Sequence, residues 1–150
     1  MMRRQRLIQI SLSAIFMSLA PKAIAASWYP VAVNTSMMVF VDKSSIKKTG
    51  TTAKFWQWQL FARSIGKTDS AKSQIIMDCK TNQRKTEYMV AIAEIDTIQQ
   101  EGKVDSSYES VTPNTLEYAV YDAVCNNKFT GQPQKSVNIY DVRSFLYRSQ

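Results

Sequence analysis

The sequence contains no histidine. That absence removes Ser-His-Asp and Cys-His catalytic arrangements, histidine-ligated zinc and imidazole-based pH switching. Cysteine is nearly absent as well. Cys79 and Cys125 are the only two, and two thiols cannot by themselves build a structural zinc site. Glycine and proline number four each, which excludes collagen-like and linker-type chains. There is no internal repeat and no low-complexity tract. Hydrophobic residues at 45% and charged residues at 21% are those of a folded chain, and 150 residues suffice for one domain. These shortages point away from an enzyme, and neither a cofactor nor a metal is expected.

What the chain does have begins with an address. Arg3, Arg4 and Arg6 precede an apolar run from Leu7 to Ala20, and Pro21 breaks it. Ala23 and Ala25 supply small residues at −3 and −1. Residues 1–25 therefore read as a secretory signal peptide, with cleavage after Ala26 an equal alternative. The run is shorter than the roughly 20 apolar residues of a membrane span. No other stretch is long enough, so after signal removal no transmembrane segment is expected. No cysteine at the cleavage site offers a lipid anchor. The mature chain is expected to be exported, periplasmic or secreted. Removing Arg3, Arg4, Arg6 and Lys22 from 19 basic residues leaves 15 against 12 acidic ones, a net charge of +3. So small an excess does not argue for a nucleic-acid partner.

In an oxidising compartment a lone cysteine pair is read as a disulfide. Cys79 and Cys125 enclose a long loop, and its closure contributes about 4 kcal/mol in the chain-entropy view. Trp28 to Val33 and Met37 to Asp42 read as two short strands around Asn34-Thr35-Ser36. Ser44 to Gly50 reads as a turn. From Thr52 to Phe61, Trp56, Trp58 and Leu60 share one face, and Gln57 and Gln59 the other, with Phe55 and Phe61 at its ends. Arg63 to Ser73 reads as a loop. Ala71 to Lys80 alternates, with Ile75, Met77 and Cys79 on the core side. Arg84 to Ile95 is apolar on both sides, which predicts a central strand covered on both faces. Gln99 to Gly102 reads as a turn and Lys103 to Glu109 as an exposed strand.

The period then changes. Thr112 and Pro113 predict a helix start. Leu116, Val120, Ala123 and Val124 form an apolar stripe that Cys125 closes, and the helix ends at Asn126-Asn127. Val137 to Tyr147 is open between a helix, an edge strand and a tail that orders on binding. A strand face and a helix stripe that both end in a cysteine predict an α+β fold. In it an antiparallel sheet of about five or six strands carries a C-terminal helix on one face, pinned by Cys79–Cys125.

An ordered set of residues also resembles a known family. These are Trp28 soon after the signal, Val39-Phe40-Val41-Asp42 followed by Ser45-Ile46, and Trp56 in the next strand. Cys79-Lys80 with Arg84 and Lys85, Tyr88, Thr112-Pro113 and Cys125 complete the set. In this order they resemble the surface-adhesin protein E family of exported bacterial proteins, over roughly residues 28 to 126. The resemblance implies an antiparallel sheet with a disulfide-bonded C-terminal helix, a surface or periplasmic location and, for the family's namesake, adhesion to host matrix proteins. The chain divides accordingly into a signal peptide (1–25), an adhesin-E-like domain (26–128) and a C-terminal extension (129–150).

Candidate chemistry is sparse. Ser44 to Gly50 holds two S-x-x-K spacings and a K-T-G, but these overlap within one turn, whereas penicillin-binding enzymes spread them over a large fold. Glu94 and Asp96 share a strand face, as an acid–base pair would, near a strand end where charges meet solvent. Trp56, Trp58 and Tyr88 offer aromatic surface for a ligand, or core. Lys72, Lys80, Arg84 and Lys85 form a basic set suited to anionic polymers such as sulfated glycans or lipopolysaccharide, or simply a solvated polar sheet face. Tyr140, Arg143, Phe145, Tyr147 and Arg148 give the extension an interface-like composition.

The sequence thus predicts a non-catalytic exported binding module that contacts a protein or glycan at the cell envelope or host matrix. An exposed sheet edge also allows a homodimer. The alternative is a periplasmic binder of a small hydrophobic or anionic ligand, held between helix and sheet against Trp56, Trp58 and Tyr88.

Overall fold

The computed structural model describes residues 25–93 and 97–148. Most of the signal segment, and the Glu94/Asp96 pair, lie outside the described residues. Eight strands form one antiparallel sheet: β1 (Trp28–Val33), β2 (Met37–Asp42), β3 (Lys47–Thr49), β4 (Thr52–Ile65), β5 (Thr68–Asp78), β6 (Gln83–Ala93), β7 (Thr97–Lys103) and β8 (Glu109–Ser110). The main path runs β1-β2-β4-β5-β6-β7, while β3 pairs with β4 and β8 with β6. Two helices follow, α1 (Leu116–Asn126) and α2 (Ile139–Arg148).

The alternation of β4 and β5 sends apolar side chains to both faces, and each helix covers one. On the first face Val39, Val41, Ala53, Phe55, Ile75 and Met77 meet Val120 and Val124 of α1. The Cys79–Cys125 disulfide joins the end of this strand face to α1, with the Cα atoms 5.6 Å apart. The Tyr121 hydroxyl donates to the Cys79 carbonyl at 3.1 Å and reinforces the same junction. On the second face Trp28, Phe40, Trp58, Leu60 and Ala62 meet Val142 and Leu146 of α2.

Between the helices the chain passes around the β1 edge. Trp28 and Gln134 exchange two backbone hydrogen bonds of 3.0 and 2.8 Å. Phe129 packs edge-on to Tyr29 at 5.1 Å, and the Lys43 ammonium lies 4.6 Å from the Phe129 ring centroid. Gly131 makes the closest approach: a Cβ there would stand 2.5 Å from Pro30 Cγ. The strap thus covers the β1 edge, which would otherwise be a template for strand addition. At the opposite edge, β7 is exposed along nearly its whole length.

Several expectations are corrected. Arg63 to Ser73 is not a loop: β4 and β5 continue to a tight turn at Gly66, whose φ is +63°. The polar residues there serve the tertiary structure. Ser64 donates to Asp69 at 2.5 Å, and Arg143 of α2 donates to the Phe61 carbonyl, Ser64 and Asp69. The Ser64 hydrogen bond, followed by the Arg143 guanidinium, holds the Asp69 carboxyl below its ordinary value, against the opposing effect of burial.

Gln99 to Gly102 is strand rather than turn, and Lys103 closes β7 rather than opening a strand. An edge strand wet on both sides has no alternation to display. β6 is interior to the sheet but not covered on both faces, since Ile92 alone in it is buried. α1 starts three residues later than expected. Asn114 takes a left-handed φ of +64° after Pro113, so the chain turns once more, and the Thr115 hydroxyl caps the helix by accepting from Tyr118 N. Its end agrees with the sequence reading: Asn127 is the left-handed C-cap. Val137 to Tyr147 resolves in favour of a helix, entered through Asn138, whose Oδ1 accepts from Tyr140 N.

Candidate functional site

Residues paired across antiparallel strands share a face, so the register defines the surface. On the second face the rows run Trp58–Lys72–Val90–Glu101, then Trp56–Gln74–Tyr88–Lys103, then Lys47–Lys54–Ile76–Lys85. α2 lies toward the Trp58 end, against β4 and β2, and neither helix packs substantially on β6 or β7. The second and third rows therefore form an open half-face, in which Trp56, Gln74, Ile76, Lys85 and Tyr88 are half-buried and Lys47 and Lys103 exposed.

The floor of this half-face is aromatic. Trp56 and Tyr88 meet edge-to-face with centroids 6.1 Å apart. Trp58 pairs with Trp28 at 5.4 Å and is buried, while the Lys72 ammonium caps its ring at 4.3 Å. Lys85 lies 5.1 Å over Tyr108.

Its rim is cationic. Lys47 and Lys54 stand directly opposite each other across β3 and β4, an arrangement of like charges that weakens strand pairing. Glu87 is the extra residue of a β-bulge between Thr86 and Tyr88, and it pairs with Lys54. The Lys54 hydrogen bond holds the Glu87 carboxyl below its ordinary value, with Lys85 and Lys103 adding to the effect through space. Two other carboxylates on this face are turned to backbone N–H groups. Asp42 accepts from Ser27 and Ser44, and Asp78 from Lys80 and Thr81. Among the described residues of this face, that leaves Glu87 and Glu101 beside Lys47, Lys54, Lys72, Lys85 and Lys103.

The chain matches the family described as Surface-adhesin protein E over residues 28–126. It belongs to that family. Members are adhesin-type binding proteins, and an exported chain agrees with this class. Among the solved structures similar to this adhesin-E family member are two of protein E. That of Haemophilus influenzae protein E is 15% identical, covers 67% of this chain and 94% of its own length, and has a TM-score of 0.44. That of protein E from non-typeable Haemophilus influenzae is 14% identical, covers 87% of this chain and 94% of its own, and has a TM-score of 0.47. No curated protein sequence matches the chain. The family assignment rests on the match over residues 28–126.

Of the residues singled out in the sequence, Trp56, Trp58, Tyr88, Lys72 and Lys85 come together on the second face of this adhesin-E domain. Two do not. Lys80 is exposed in the β5–β6 turn. Arg84 lies opposite Met77 on the first face and reaches Glu117 of α1 at 3.9 Å. The bulge at Glu87 is the reason: it reverses the parity of β6, so Lys85 joins Tyr88 on one face and Arg84 goes to the other. Lys47, Lys54, Lys103 and Glu87 were missed. Lys54 has the parity of Trp56 and Trp58 and was within reach of the alternation, whereas Lys47 and Lys103 needed the register. The disulfide-bonded helix also covers the face opposite to Trp56 and Trp58, so it encloses no pocket with them. The pocket that Trp58 does line has a volume of about 250 Å³ and lies between the sheet and the start of α2, with Ser70, Ile92 and Asn138.

Proposed function

We propose that this adhesin-type binding protein is non-catalytic and docks a macromolecule at the cell envelope or host surface through the open half of the second sheet face. The observation that carries this reading is the lysine cluster around Glu87 beside the Trp56–Tyr88 pair. Like charges opposed across a strand pair cost stability, and an acidic partner relieves that cost. A half-buried aromatic floor supplies contact area at low entropy cost. The pocket beside Trp58 holds about 250 Å³, below the roughly 300–1,000 Å³ of typical small-molecule sites, and the larger hollows of about 410–550 Å³ lie away from Trp56 and Tyr88, at the β4–β5 turn and between β1 and the start of α1. Export of residues 26–150 supplies the location, and the extension 129–150 supplies the cover that leaves only half of the face open.

The test is charge reversal. Capture of partners from envelope extracts and immobilised host-matrix preparations is compared for the wild type, Lys54→Glu/Lys85→Glu and the remote control Lys67→Glu/Lys135→Glu. Loss with the first pair only supports the reading. Equal capture by all three would overturn it.

A further inference from the structure

The third row of the open face has an unusual composition. From β3 to β6 it reads Lys47, Lys54, Ile76, Lys85, and Lys103 follows on β7 one row away. Neighbouring strands are about 4.8 Å apart, so this line of ammonium groups crosses the sheet over roughly 14–19 Å. No arginine takes part. Arg84 is committed to Glu117 and Arg143 to Asp69. Lysine offers a compact point charge rather than the planar fork that grips a carboxylate in two-point fashion. The surface is a strand face built of antiparallel rows, whereas protein partners favour pockets that fully desolvate an anchoring side chain. Beside the line, Trp56 and Tyr88 present ring surface.

From this geometry we infer that the face takes an extended sulfated glycan, its sulfates along the Lys47–Lys54–Lys85–Lys103 line and a sugar ring against Trp56 or Tyr88. The inference rests on the docking reading above and names its partner class. Glu87 then has a definite part. It is an internal competitor, and glycan sulfates must share Lys54, Lys85 and Lys103 with its carboxylate. Removing that carboxylate should therefore improve binding, an effect opposite to the usual loss on mutating a site. Glu101, one row from Lys103 on β7, contributes a further repulsion.

The probe is low-molecular-weight heparin, titrated into the exported, purified chain at two salt concentrations. Polyglutamate serves as the acidic-polypeptide comparison. Heparin is expected to bind, with affinity falling as salt rises. Lys85→Gln/Lys103→Gln should weaken binding about ten-fold, and Glu87→Gln should tighten it about three-fold. Lys67→Gln/Lys135→Gln should leave it unchanged. Because Glu87→Gln is read as a gain, misfolding cannot mimic it. Absence of heparin binding, or weaker binding by Glu87→Gln, would overturn the inference. Tighter binding of polyglutamate than of heparin would overturn the glycan while leaving the docking face in place. Equal heparin affinity in all variants would remove the face from glycan binding altogether.

Discussion

Replacing both Cys79 and Cys125 with serine tests the covalent junction between β5 and α1. The residues are 46 apart in sequence. For a loop of that length, lost closure entropy in the unfolded chain corresponds to about 4 kcal/mol. The native junction keeps other attachments: Val120 and Val124 remain buried, the Tyr121 hydroxyl still reaches the Cys79 carbonyl position, and Glu117 still faces Arg84. The substitution should therefore act on the unfolded state and leave the fold intact. A folded unit of about 125 residues has an unfolding entropy of roughly 260 cal/mol/K near its midpoint, so 4 kcal/mol corresponds to a fall in Tm of about 15 °C. Calorimetry measures the shift, and far-ultraviolet circular dichroism checks that secondary structure is retained. A fall of less than about 3 °C would refute the reasoning, as would loss of the helical signal at low temperature.

Two further predictions concern α2 and its strap. The Asp69 carboxyl is held below its ordinary value of 3.8 by Ser64 and Arg143. Its contribution is therefore complete above the unfolded value and is lost as pH falls through the lowered native one. Asp69→Asn should abolish that part of the acid dependence below pH 4 and destabilise the protein at pH 7, as seen in paired acid and neutral melts. Equal melts of the two proteins at pH 7 would contradict the clasp. Gly131→Ala would force a Cβ to within 2.5 Å of Pro30 Cγ. It should cost roughly 1–3 kcal/mol and raise the hydrogen exchange of the Trp28 amide, and unchanged exchange would show that the strap tolerates the added methyl.

The legible part of this fold is the part governed by strong local periods. Ile75, Met77 and Cys79 alternate because one side of β5 faces α1, and Leu116, Val120, Ala123 and Val124 recur at helical spacing for the same reason. Legibility failed where the pattern depended on a distant partner. The polar run Arg63 to Ser73 is strand because Arg143, some 74 residues beyond Asp69, satisfies it. β7 has no buried side to announce it. α2 shows its apolar pair, Val142 and Leu146, but an isolated pair does not separate a helix from a tail. At the site, the aromatic residues and Lys72 followed from strand parity alone. Arg84 was misplaced because a single bulged residue, Glu87, is invisible to alternation yet reverses it. The lysine line is a property of register across five strands, β3 to β7, which no window along the chain contains.

Amine footprinting tests the central claim most directly. The exported chain is acetylated with a water-soluble reagent, alone and bound to the immobilised partner preparation, and modification is read lysine by lysine. Docking through the open second face predicts protection of Lys47, Lys54, Lys85 and Lys103, with Lys67, Lys128 and Lys135 unchanged. Protection centred on Lys48 and Lys128, beside α1 on the opposite side of the sheet, would contradict it.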